Sequence, residues 1–201
     1  GNSVKGVGGD IIFAVGDSTS STGGRISGSS GEGKLSSGAI SIITPSQTMG
    51  GILSGAIEIQ SGGSVGVGSG SVRLGSGIAA AGQSGAIRLE TGSASNAAGS
   101  VNVIAGQSST STGGSILISG GKSMSHAGGK VAVISGESQS RSGNVIVRSH
   151  LSHGKTGEVN IHTGDAIEET GSLLVSSGSS SEGKSGDLSF AAGHSNVGHT
   201  G

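Results

Sequence analysis

The sequence predicts an all-β fold, a narrow two-sided parallel β-solenoid of about 13 rungs of 14–15 residues. Three observations predict it. Glycines recur at a nearly fixed spacing, aliphatic residues alternate behind each of them, and serines alternate through the second half of each repeat. The same chain almost lacks aromatic bulk. Its 201 residues include 44 Gly, roughly one Ser in five, one Pro, two Phe and no Tyr, Trp or Cys, so no ordinary core is available.

The repeat is clearest from Gly99 to Gly143, which reads GSVNVIAGQSSTSTG, GSILISGGKSMSHAG and GKVAVISGESQSRS before Gly143 opens the next copy. The glycine before each aliphatic run is here called the anchor. Anchors stand at Gly9, Gly24, Gly38, Gly55, Gly70, Gly85, Gly99, Gly114, Gly129, Gly143, Gly157, Gly171 and Gly186, and Gly201 would open one more unit. The second and fourth residues after an anchor are usually aliphatic, as in Ile57 and Ile59, Val101 and Val103, or Ile116 and Ile118. Period two with β-branched residues is the pattern of a strand with one covered face. The sixth residue is small (Ala105, Ser135, Thr163, Ala192), and a second glycine, the corner, follows at Gly16, Gly92, Gly106, Gly136, Gly164 and Gly193. A glycine at a fixed corner suits positive φ or a close backbone approach.

In the second half-unit, Ser108 and Thr110, Ser123 and Ser125, and Ser138 and Ser140 alternate with longer residues such as Met124, His126, Gln139 and Arg141. The long residues belong in water, so the serines are expected to face inward, opposite the aliphatic wall and hydrogen-bonded there. One unit is too short to cover its own apolar face, and stacked units cover one another. At a strand spacing of about 4.8 Å, the stack would be a rod of roughly 60 Å. An antiparallel meander would give similar alternation without requiring two unlike halves in every unit. Gly/Ser richness by itself reads as a disordered linker, but the aliphatic residues here hold fixed places in a repeat.

The whole chain, residues 1–201, is expected to form a single array. Residues 1–8 would be a partial rung, and residues 38–54 an irregular longer rung with Pro45 where the corner glycine belongs. In the unit opening at Gly24, Gly28 replaces an aliphatic residue and Leu35 is expected to compensate from the opposite wall.

Charge is sparse and balanced, with 11 Lys and Arg against 12 Asp and Glu for a net charge of −1. No basic face points to nucleic acid, and no apolar run has the length of a membrane span. The chain opens on Gly1, as a mature product or a fragment would, and it has no Asn-x-Ser/Thr acceptor site.

No catalytic residues, cofactor site or metal site are assigned. His150, His153 and His162 are near one another in the repeat but lack a fourth ligand of fixed type. Gly8-Gly9-Asp10 resembles the opening of a calcium-binding nonapeptide, but Asp10, Asp17, Asp165 and Asp187 are too few for a calcium ladder. Nothing forms a nucleophile elbow, a paired-carboxylate site or a phosphate loop. Glu58, Arg73, Arg88 and Asn102 would share one outward column, where Glu58 could pair with Arg73, and Glu90 with Arg88 or Arg73.

Ile104, Leu117, Ile134, Ile146 and Leu174 break the alternation on the outward side. They form the candidate association face, because contiguous exposed apolar surface often marks a contact with another molecule. No polar capping helix or aromatic lid stands at either end, so open edges favour end-to-end stacking or continuation in a longer array.

Phrases such as GGSILISGGKS (residues 113–123) and SGNVIVRS (residues 142–149) resemble the Gly/Ser-rich parallel β-solenoid repeats of algal, especially diatom-type, cell-surface and extracellular-matrix proteins, and loosely those of phage and bacterial fibres. The resemblance runs along nearly the whole chain and is one of repeat style. It implies a structural or adhesive role outside the cell and carries over no catalytic residue. The expected function is a non-catalytic building block of an extracellular or cell-surface fibre. Its partner would be itself, as a homopolymer or lateral homo-oligomer, with glycan or other matrix components as further partners. The alternative is an ice-, glycan- or mineral-binding solenoid module. The ice-binding form needs a flat, regular outward array, whereas Glu58, Arg73, Leu117 and Asn160 share one column here.

Overall fold

The computed structural model describes residues 8–46, 53–66 and 68–194. Most of the expected partial rung at residues 1–8, the Gly50–Gly51 part of the longer rung, His199 and Gly201 lie outside the described residues. The chain divides into two units, Gly1–Val101 and Asn102–Gly201.

Within each unit the sequence repeat is visible as an alternation of unbent runs and bends. The chain bends at residues 19–21, 34–35, 65–66, 80–82, 95–96, 109–111, 124–126, 139–140, 153–154, 167–168 and 181–183, each in the second half of a repeat. The aliphatic runs between them are unbent. Residues two apart in a run share a side, as extended backbone requires. The Arg88 guanidinium pairs with the Glu90 carboxylate, Asn160 Nδ2 donates to Glu158 Oε2 at 3.2 Å, and Arg25 donates to Ser27 Oγ at 3.3 Å.

The solenoid is not formed. Among the described residues there is no strand, no sheet and no helix, and no side chain is buried. The reason lies in the serine half. Gly24 donates its N–H to the Gly16 carbonyl at 2.9 Å, and Gly38 to Gly31, Gly114 to Gly106, Gly129 to Gly121 and Gly143 to Gly136 do the same at 2.8–3.0 Å. Each bond runs from an anchor back to the preceding corner. A second solenoid wall would need those seven or eight residues stretched over roughly 23 Å at the usual strand rise. In these five units the two ends touch, so the half-unit is a closed loop and the aliphatic run has no wall opposite it. The meander fares no better, because beyond this single closing bond no ladder joins successive runs among the described residues.

The inward-facing serines are corrected by the same geometry. Two residues after the corner, Ser18 Oγ accepts from the N–H of Ser21, Ser108 from Ser111, Ser123 from His126, Ser138 from Arg141 and Ser180 from Gly183, at 2.9–3.4 Å. Ser64 and Ser152, at the same place in their units, accept from Gly66 and Gly154. Serine hydroxyls compete for nearby backbone N–H groups and so favour turns. The alternating serines are turn residues, not a buried wall. Leu35 lies at a bend and is fully exposed, so it compensates for nothing.

The glycine requirement also moves. The described corner glycines do not take positive φ; Gly82, at φ 97°, is the one described residue that does. A side chain at Gly16, Gly106 or Gly136 would meet open space. At most anchors, though not at Gly157 or Gly186, backbone and neighbour come close. A Cβ at Gly129 would stand 2.8 Å from the Gly121 nitrogen, and one at Gly114 would stand 3.3 Å from the Ala105 Cβ. The partner of an anchor is the sixth residue of the preceding run, as with Thr44 for Gly55, Ser61 for Gly70, Thr91 for Gly99 and Ser135 for Gly143. That explains why the sixth residue is small. Thr44, Ala105, Ser135 and Thr163 are half-buried in this way, and of the other described residues only Ser123 matches them. The longer unit at residues 38–54 obeys the same rule, since Thr44 meets Gly55 across it.

Candidate functional site

Among the described residues the only feature with the character of a site is the set of aliphatic runs. Within a run the second residue after the anchor is the less exposed: Val101, Ile116 and Val131 keep 51–57% of their surface, whereas Ile104, Leu117, Ile134, Ile146 and Leu174 keep 75–88%. The five candidate residues are therefore the most exposed aliphatics of their own runs. Each stands on a different run, and a closed loop follows the runs of Ile104, Leu117 and Ile134.

Two residues of the same kind were missed by sequence reasoning. Ile12 and Ile43 also break the alternation and are as exposed as the five. The signal was present, since Ile11-Ile12-Phe13-Ala14-Val15 is the most apolar run of the chain.

The polar candidates remain dispersed. Arg88 takes Glu90 from its own run, and the Glu58–Arg73 pair expected between neighbouring rungs is not formed. Histidines turn to their own neighbours. His126 Nδ1 lies 3.0 Å from Ser125 Oγ, while His150 and His162 face the carbonyl oxygens of Leu151 and Thr163. Among the described residues no three His, Asp or Glu side chains gather as metal ligands, and no cavity is present. No helix among the described residues is long and apolar enough to cross a membrane.

Comparison with protein-family models, with curated proteins and with solved structures gives no match. The functional reading therefore rests on the chain's own chemistry.

Proposed function

We propose that this chain is a non-catalytic structural protein that works by associating with copies of itself, as a building block of extracellular or cell-surface material. One observation carries the reading: all the large aliphatic side chains of the described residues are left in water. The accessible surface is 20,700 Å² for a chain of 18.9 kDa. A folded monomer of that mass exposes about 8,300 Å². A fully unfolded chain of that mass exposes about 27,000 Å², so this chain stands nearer the unfolded than the folded value.

Covering the aliphatic part of that surface would be favourable by about 25 cal/mol per Å². The repeat favours a second copy as the cover, since every run offers nearly the same pattern and a net charge of −1 sets up little repulsion between chains. The extracellular setting rests on the Gly/Ser-rich repeat style. An ice-binding role loses support, because the flat regular array it needs has no sheet to carry it.

Sedimentation equilibrium over a wide concentration range, with negative-stain images of the concentrated sample, tests the proposal. Mass rising well above 18.9 kDa, with regular assemblies on the grid, is expected. A chain that stays at 18.9 kDa at every concentration would overturn it.

A further inference from the structure

We infer that the contact between copies is selective within the chain: the runs that are apolar on both sides meet the same runs of a second copy, and the charged runs stay out. The inference rests on self-association as proposed above and names the surface that performs it.

The runs differ in what stands at the third residue after the anchor. In the runs opening at Gly55, Gly70 and Gly85 that place holds Glu58, Arg73 and Arg88. In those opening at Gly9, Gly114, Gly143 and Gly171 it holds Ile12, Leu117, Ile146 and Leu174, all exposed. Ile116-Leu117-Ile118 and Leu173-Leu174-Val175 each carry three consecutive aliphatic residues with no ionisable residue between the anchor and the corner.

Alignment of two identical runs places each side chain beside its own kind. Leu117 against Leu117 removes apolar area from water, whereas Arg73 against Arg73 opposes like charges, which destabilises directly facing pairs. Short segments of high β-propensity, without charge or proline, are the ones that associate through identical copies, and embedded charges suppress it. The run backbones add to this, since among the described residues their N–H and C=O groups enter no ladder and can accept a neighbour. A second copy fits better than an unlike partner, because no groove or fixed charge pattern stands on these runs to select one.

Full-length variants decide the matter. Leu117→Lys and Leu174→Lys change residues that are more than four-fifths exposed, and Ser71→Lys adds the same charge to a run that already carries Arg73. The readout is the concentration at which half the chain is associated, measured by sedimentation. Each leucine substitution is expected to raise it by about tenfold or more. Ser71→Lys is expected to leave it within about twofold. If Ser71→Lys weakens association as much as Leu117→Lys, the selectivity is wrong while self-association stands. If the unaltered chain remains monomeric, or assembles only when a different protein is added, both readings fall.

Discussion

The Gly114 N–H donates to the Gly106 carbonyl at 2.9 Å, and this one bond decides what the repeat can build. It brings the two ends of GQSSTSTGG together, with the Ser108 hydroxyl bracing the turn inside. A segment closed in this way cannot be the second wall of a coil. What remains is a string of aliphatic runs punctuated by closed polar loops.

The loops owe their form to the serine two residues after the corner. Ser108→Ala removes the acceptor for the Ser111 N–H, and Ser138→Ala removes it for Arg141. A single exposed hydrogen bond of this type contributes about 0.5–1 kcal/mol. Amide hydrogen exchange at residues 111 and 141 should therefore quicken roughly two- to fivefold. Ser109→Ala should leave residue 111 unchanged.

Anchors and corners should differ sharply in their tolerance of a methyl group. Gly129→Ala would press its Cβ against the Gly121 nitrogen, so the loop must open or shift, at a cost of about 1 kcal/mol or more. Gly136→Ala meets open space and should be silent. Exchange of the residue 129 amide, which donates to Gly121, reads the first change, and the Gly143 amide reads the second.

Salt should separate apolar association from charge pairing. Surface pairs such as Arg88–Glu90 contribute about 0–1 kcal/mol and are screened by salt. Assembly through Leu117 and Leu174 should accordingly change little between about 0.05 and 0.5 M sodium chloride and strengthen in ammonium sulfate, which is excluded from protein surface. Glu90→Gln should leave the mass distribution as it was. Light scattering at fixed protein concentration follows all three.

The period of the chain was legible in its sequence, and so were the anchors, the small sixth residues and the sidedness of the runs. Arg88 beside Glu90 and Ala105 beneath Gly114 are what those regularities look like in three dimensions. The fold itself was misread at the serines. Alternation of Ser123 and Ser125 with Met124 and His126 is the mark of a strand if side chains alone are considered. A hydroxyl that accepts from a backbone N–H three residues on, as Ser123 does from His126, produces the same spacing in a turn. Periodicity cannot distinguish the two, and the closing bonds from anchor to corner have no side-chain signature at all. The exposure of Ile104, Leu117, Ile134, Ile146 and Leu174 was legible as a break in alternation, and Ile12 and Ile43 break it in the same way.

Hydrogen exchange of the run amides at two concentrations tests most directly whether the runs are covered by other copies. In dilute solution the amides of Gly24, Gly38, Gly114, Gly129 and Gly143 should be slowed by their loop bonds, and those of Leu117, Ile134 and Leu174 should exchange as in an open chain. On concentration into the associated state, the run amides should become protected by tenfold or more, on the order of 1.4 kcal/mol. Strong protection of Leu117, Ile134 and Leu174 in the dilute monomer would contradict the account, because the chain would then be covering its own runs.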